Sequence, residues 1–140
     1  MKHIVHIYGP CGSGTSTLGR EIGRRLGFRF LDTDVFFWMP TDPQSTQKRP
    51  LEERLALLEE ELDKPGNVVL SGALIPWGNP LIPRFTLVVR LEAETQLRLE
   101  RLKARERADF GSRIEPGGDM YQHFLEFLEY ARGYDTGGLN

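Results

Sequence analysis

The spacing of apolar residues changes twice within the first 31 positions. Residues 2–8 are largely apolar and stop at a glycine, which predicts a buried central strand. Apolar residues then recur every four positions, which predicts a helix over 15–26 that ends at Gly27. Residues 28–31 are short and apolar, which predicts a second strand. The chain therefore begins as strand, glycine-rich segment, helix and strand.

The same pattern continues through the rest of the chain. Further elements are predicted as a helix over 51–62, strands over 68–70 and 86–91, a helix over 92–107 and a last helix after Asp119. Segments rich in proline or glycine predict surface loops at 40–50, 73–84 and 108–118. Strands that alternate with helices indicate an α/β fold with a parallel sheet and right-handed crossovers, here with four strands.

Composition narrows the class of protein. At 140 residues the chain is expected to form a single domain, and 39% hydrophobic with 27% charged residues is typical of a soluble globular protein. A net charge of −2 gives no reason to expect a nucleic-acid or membrane partner. The single cysteine excludes an internal disulfide and favours a cytoplasmic location. No apolar run reaches the length of a membrane span.

The segment between the first strand and the first helix carries the most specific chemistry. It reads Gly-Pro-Cys-Gly-Ser-Gly-Thr-Ser-Thr and fits G-x-x-x-x-G-K-[ST] except at Thr15, where lysine is expected. Backbone amides at a helix N-terminus attract phosphate. The candidate phosphate-binding residues are Gly9, Pro10, Cys11, Gly12, Ser13, Gly14, Thr15, Ser16 and Thr17. Without a substitute cation, phosphoryl transfer would lose several kcal/mol of transition-state stabilisation.

Two carboxylates follow the second strand. Asp32 and Asp34 lie two positions apart, which would direct both toward the crevice where open α/β sheets bind ligands. There they can hold Mg²⁺ through water, or orient an acceptor hydroxyl and take its proton. The alternative is a helix cap followed by a solvated turn.

Aromatic and basic residues follow this acidic pair. Residues 36–39 are Phe-Phe-Trp-Met, and either line an acceptor pocket, with Trp38 in the wall, or pack in the core. Lys48 and Arg49 lie in the exposed loop and are candidate acceptor-binding residues.

Three arginines share one face of the basic helix near the end of the chain. Arg98, Arg101 and Arg105 fall within about 60° at 100° per residue. Interspersed glutamates leave a salt-bridged surface helix as the alternative.

The strings GPCGSGTSTLGREIGRRLG, LDTD and RLKAR resemble the adenylate-kinase-like branch of P-loop kinases, which contains nucleoside monophosphate, shikimate and gluconate kinases. The resemblance implies a three-layer α/β/α P-loop NTPase fold and a parallel sheet of order 2-3-1-4-5. It also implies an acceptor-binding segment at about 35–62, a lid-like segment at about 105–120, and the use of ATP and Mg²⁺. A fifth strand after the lid is not seen in the sequence, which leaves the order 2-3-1-4. Either the chain is truncated, which we favour, or the fold is complete with four strands.

The resemblance also implies roles for individual residues. These are Ser16 and Asp32 for the metal, Thr17 for the α-phosphate, Asp34 for the acceptor, and Arg101 and Arg105 beside the donor site. Arg113 and Arg132 are the weaker matches, for arginines of the lid. Candidates to replace the missing lysine are Lys48, Arg49, Arg113 or another lid arginine. Asp34, Arg105 and Arg113 are therefore the predicted catalytic residues.

The sequence thus favours an ATP-dependent phosphotransferase that acts on a nucleotide or a small hydroxylated metabolite. The alternative is a nucleotide-binding protein with weak or no transfer activity, because Thr15 replaces the lysine. Nothing in the sequence bears on whether the protein is a monomer or a dimer.

Overall fold

A computed structural model describes residues 1–136 of the chain. The strands are β1 (Ile4–Tyr8), β2 (Arg29–Asp32), β3 (Val68–Ser71) and β4 (Leu87–Arg90). The α-helices are α1 (Thr15–Leu26), α2 (Thr33–Phe37), α3 (Leu51–Asp63), α4 (Thr95–Phe110) and α5 (Tyr121–Arg132). Short 3₁₀ segments cover Asn79–Arg84, Gly111–Ile114 and Gly133–Thr136.

The described chain forms two compact units. The first, the sheet unit, contains Met1–Gly9 and Gly14–Leu91, and the second, the helical unit, contains Pro10–Ser13 and the chain from Glu92 onward. No helix in residues 1–136 is both long enough and apolar enough to cross a membrane.

The sheet unit is built on four parallel strands in the order β2-β3-β1-β4. This confirms the predicted parallel sheet and its order. In the register of the sheet, Ser71 at the end of β3 lies opposite Ile7 of β1 and Asp32 of β2. The carboxyl ends of these strands therefore meet at one edge.

Alternation along β1 and β3 sends side chains to two apolar layers. Ile4 and Leu70 pack with residues of α2 and α3, including Leu58 of α3. Val5 and Val69 pack on the opposite face, against the apolar side chains of α1. The sheet unit is thus a three-layer α/β/α arrangement, and the predicted leucine stripe of α3 supplies one layer.

Two predicted loops are more ordered than their composition indicated. The segment 73–84 contributes Leu74, Trp77 and Leu81 to the core, each at most 7% exposed, so its prediction as a surface loop was wrong. Their burial could not be predicted because apolar residues interrupted by prolines have no regular period. The segment 108–118 is likewise not a loop at its start, because α4 continues to Phe110 and a 3₁₀ turn follows.

The helical unit has its own apolar core. Leu99 and Leu102 of α4 pack with Leu128 and Ala131 of α5. A neighbouring cluster at the other end joins Phe110, Ile114 and Met120. These contacts hold α4 and α5 together and enclose the segment that connects them.

Candidate functional site

The glycine-rich loop of residues 9–17, called the phosphate loop below, runs into α1 at Gly14, which belongs to the sheet unit. Gly14 precedes the helix with a left-handed φ of 99°, and no side chain caps the first turn at this position. The first amides of a helix have no partner within the helix, and the helix dipole places positive charge there. This end of α1 therefore suits an anion, as the loop motif predicted.

A hydroxyl and a carboxylate meet just beyond that turn. Ser16 Oγ donates to Asp32 Oδ2 at 3.1 Å, and the backbone N–H of Asp34 donates to Asp32 Oδ1 at 3.0 Å. Asp32 thus caps α2 and contacts Ser16 with its two different oxygens. Both readings of Asp32 made from the sequence, the cap and the metal-site neighbour of Ser16, are compatible with this geometry.

Asp34 lies on a helix rather than on the strand. Because β2 ends at Asp32 and α2 begins at Thr33, the alternation of a strand does not relate the two carboxylates. Asp34 is exposed, in the first turn of α2. The carboxylates belong to the same short segment, but strand geometry was the wrong reason to pair them.

The carbonyl of Thr15 is held from the sheet. Ser71, which is wholly buried, donates its hydroxyl to Thr15 O at 2.8 Å. Gly19, one turn further along α1, makes this approach possible because an added Cβ would lie 2.7 Å from Phe30 Cε1 and still closer to Ser71 Oγ. The start of α1 is therefore held against β2 and β3 by close packing and by this hydrogen bond.

A buried histidine supports the same edge of the sheet. His6 Nε2 lies 2.9 Å from the carbonyl oxygen of Gly72, directly after β3, and its ring packs 4.9 Å from that of Phe85. Burial lowers the pKa of His6 below its usual 6.5, and the bond to Gly72 opposes that shift. In the described chain, no group of three or more His, Cys, Asp or Glu side chains is arranged to hold a metal.

The acceptor segment predicted at 35–62 folds around a closed loop. Trp38 and Lys48 form an antiparallel bridge, and Met39 N donates to Gln47 O at 2.8 Å, so residues 39–47 leave and return at one place. Arg49 donates to the carbonyl oxygens of Phe36 at 3.1 Å and Trp38 at 3.4 Å. The Arg49 guanidinium thus anchors this loop to the main chain of α2.

Two cations flank an aromatic ring in this segment. The Arg54 guanidinium lies 4.2 Å from the centroid of the Phe37 ring, and Lys48 Nζ lies 5.8 Å from it. The Trp38 ring meets Phe37 edge-on at 4.7 Å, whereas Phe36 is buried in the core. The aromatic run is therefore divided between core and cation contacts. Sequence reasoning missed Arg54, because a polar position between leucines of α3 carries no distinguishing signal.

In the helical unit, two arginines of α4 contact carbonyl oxygens of residues 10–13. Arg98 Nη1 donates to Cys11 O at 3.3 Å, and Arg101 Nη1 donates to Gly12 O at 3.1 Å. The predicted common face of arginines is divided, since Arg98 is wholly buried whereas Arg101 and Arg105 are exposed. Arg105 acts electrostatically on the neighbouring Glu106.

The predicted lid arginines are engaged in ion pairs. Arg113 donates to both carboxylate oxygens of Asp119, at 2.9 and 2.8 Å, and this lowers the pKa of Asp119. Arg132 pairs with Glu129 one turn earlier on α5, at 2.5 Å. The charge of Arg113 is therefore paired with that of Asp119 in this structure.

A sequence model of the family described as AAA domain matches residues 5–115. Uncharacterized protein YqaC of Bacillus subtilis is 42% identical over 139 residues, which cover 99% of this chain and 76% of that protein. Cytidylate kinase of Thermodesulfovibrio yellowstonii is 34% identical over 82 residues, or 51% of this chain and 37% of the kinase. The structure of shikimate kinase from Acinetobacter baumannii in complex with shikimate superposes with a TM-score of 0.54 at 18% identity, covering 94% of this chain and 79% of the kinase.

Proposed function

The chain belongs to the P-loop family described as AAA domain, and we propose that it is an ATP-dependent phosphotransferase that acts on a small hydroxylated or nucleotide acceptor. Its resemblance to P-loop kinases is confirmed by relatives that include cytidylate kinase and by the shared fold of shikimate kinase. The observation that carries the proposal is the contact between Ser16 Oγ and Asp32 Oδ2 at the start of α1. P-loop NTPases in general hold Mg²⁺ with the loop hydroxyl and an aspartate, so this contact supports the binding of a nucleotide with Mg²⁺. Asp34, two residues further on in the first turn of α2, supports a site for an acceptor.

The donor set at this contact suits magnesium held together with a nucleotide. Mg²⁺ usually takes one or two carboxylates, several waters and substrate phosphates, rather than a cage made wholly of protein. One hydroxyl from Ser16 and one carboxylate from Asp32 match that requirement. Magnesium bound there would neutralise charge on the donor phosphates.

Asp34 is the proposed group for the acceptor. Its carboxylate would orient the acceptor hydroxyl and take its proton while the acceptor oxygen bonds to the γ-phosphorus and the bond to the β-phosphate oxygen breaks. Lys48 and Trp38 lie in the same segment and would contact the acceptor. Arg54, which lies against Phe37, is added to this group.

A nucleotide-binding protein without transfer activity is the second candidate. It is favoured by Thr15 together with the engagement of Arg113 by Asp119 and of Arg49 by backbone carbonyls. In that case ATP binds through the backbone of the loop, but no cation bridges the β- and γ-phosphates.

The experiment is a coupled assay of ADP release across nucleoside monophosphates and small hydroxylated metabolites. One acceptor that raises ADP release supports the phosphotransferase. Asp34→Asn should then abolish transfer and leave ATP affinity within about twofold, since the amide cannot take the proton. Asp63→Asn, which alters an exposed carboxylate paired with Arg84, is the matched control and should keep full activity.

Two other outcomes contradict the proposal. ATP binding without stimulation by any acceptor favours the second candidate. Full turnover in Asp34→Asn removes Asp34 from the mechanism.

A further inference from the structure

Arg98 of α4 is a wholly buried arginine with partners in three segments of the helical unit. Its Nη1 donates to Cys11 O in the phosphate loop and to Ala131 O near the end of α5, both at 3.3 Å. Its Nε donates to Ala93 O at 3.1 Å, and its Nη2 donates to Thr95 Oγ1 at 3.2 Å. The planar guanidinium allows one side chain to reach acceptors in several directions.

The loop rests directly on the helix at this residue. Gly12 has a left-handed φ of 83°, and an added Cβ would lie 2.8 Å from Arg98 O. A glycine is therefore needed at position 12 both for its conformation and for the approach to α4. The hydrogen bond from Arg98 to Cys11 thus coincides with the tightest packing of the loop.

Holding a carbonyl also sets the direction of the next amide. A trans peptide is planar, so the C=O of Cys11 and the N–H of Gly12 point in opposite directions. Arg101 holds the following carbonyl, that of Gly12, and the N–H of Ser13 donates to Pro10 O at 3.0 Å. Two consecutive peptide planes of the loop are therefore oriented from α4.

We propose that Arg98 is a positioning residue that fixes the Cys11–Gly12 peptide for anion binding and links the loop to the end of α5. The proposal rests on the proposed phosphate-binding function of the loop. Its consequence is reciprocal coupling: an anion that orders the loop also stabilises the α5 end around Ala131, and loosening that end weakens anion binding. Arg98 acts through the backbone, so it is not assigned contact with the nucleotide.

The first test needs no ligand. Arg98→Lys keeps the positive charge but removes the planar guanidinium and its several N–H donors. Arg107→Lys, the control, makes the same change at an exposed position of α4. Amide hydrogen exchange of unliganded protein should become about tenfold faster in residues 11–13 and 128–132 of Arg98→Lys, with exchange in the sheet unit unchanged. Arg107→Lys should exchange like wild type.

The second test adds the ligand. Calorimetric titration with Mg·ATP should give about tenfold weaker binding in Arg98→Lys, because a hydrogen bond from a charged group is lost. In wild type, ATP should also slow exchange at 128–132, although these residues are not assigned to the nucleotide site. An unchanged ATP affinity in Arg98→Lys, at unchanged thermal stability, overturns the positioning role.

The remaining outcomes separate this inference from the proposed function. If wild type binds no ATP but the loop of Arg98→Lys still exchanges faster, the function fails whereas the link between Arg98 and the loop stands. If exchange rises only in α5, Arg98 merely joins helices and the inference is wrong. If Arg98→Lys unfolds, Thr95→Val loosens the same guanidinium, and unchanged exchange at 11–13 in that variant overturns the inference.

Discussion

Replacing Gly19 by alanine tests how closely α1, the helix after the phosphate loop, packs against the sheet. Gly19 lies on α1 where that helix approaches Ser71 and Phe30, and both side chains would be inside van der Waals contact of a new Cβ. Ser71 is wholly buried and donates to Thr15 O, so it cannot move aside without losing that bond. We therefore expect Gly19→Ala to destabilise the sheet unit, against the usual effect of alanine in a helix.

The expected magnitude combines three contributions. Overpacking a buried contact costs roughly 1–3 kcal/mol. Losing the hydrogen bond from Ser71 to Thr15 costs about 1 kcal/mol. Better helix propensity of alanine returns about 1 kcal/mol. Gly19→Ala should therefore lower the free energy of unfolding by roughly 1–3 kcal/mol.

Urea unfolding followed by tryptophan fluorescence measures this change. The two tryptophans, Trp38 and Trp77, both lie in the sheet unit and so report on the affected part. Gly133→Ala is the control, because Gly133 has a φ of −76° and an added Cβ meets nothing within 4 Å; since Gly133 lies in the helical unit, its stability is measured by calorimetry rather than by tryptophan fluorescence. It should change stability by less than about 0.5 kcal/mol.

A double-mutant cycle tests the stated cause. Ser71→Ala alone should cost about 1 kcal/mol, but it removes the nearer of the atoms that obstruct the new methyl group. Gly19→Ala with Ser71→Ala should then be more stable than the sum of the single changes by about 1 kcal/mol. Strict additivity, or a Gly19→Ala variant as stable as wild type, would refute the argument.

Three further predictions concern the loop, the acidic pair and a buried carboxyl. Thr15→Lys should raise ADP release about 100-fold if the loop lacks only its cation, measured in the coupled assay; an unchanged rate would indicate that another cation already acts there. Asp32→Asn should raise about tenfold the Mg²⁺ concentration needed for half-maximal ATP binding, measured by titration with Mg²⁺ at fixed ATP. The same Mg²⁺ dependence in the variant and in wild type would exclude Asp32 from the metal site. Burial raises the pKa of Glu106 above its ordinary 4.5, outweighing the opposing effect of Arg105. The folded state therefore binds this proton more tightly, and stability falls as the pH rises from 4.5 through the raised pKa. Glu106→Gln should melt at a higher temperature than wild type at pH 7 and at the same temperature below pH 4.5, and calorimetric melts across that range decide it.

The local pattern of apolar and polar residues was sufficient to predict most of the helices and strands of the sheet unit. Periodicity with a glycine at each boundary predicted α1 to the residue, and the alternation of strands and helices predicted the parallel sheet. The proximity of Ser16 and Asp32 also follows from sequence, because the loop motif and the end of the next strand are parts of one fold pattern.

Burial of charged and irregular segments could not be predicted in this way. Arg98 shares its helix face with two exposed arginines, and only the packing of α5 and the loop shows that it is buried. Trp77 lies in a proline-rich segment whose apolar residues have no period, so its place in the core depends on α3 and β3. Both cases depend on contacts between residues distant in sequence.

The closed loop at residues 39–47 can change in sequence without a change in the position of the helices on either side of it. Its ends are joined by the Trp38–Lys48 bridge, and inside it Thr41 and Thr46 both donate to Pro43 O. Since doubling the length of a loop costs only about 0.6 kcal/mol in closure entropy, residues 40–46 can be exchanged or lengthened while α2 and α3 keep their places. Under the proposed function, a library confined to residues 40–46 would vary acceptor preference without changing the phosphate loop.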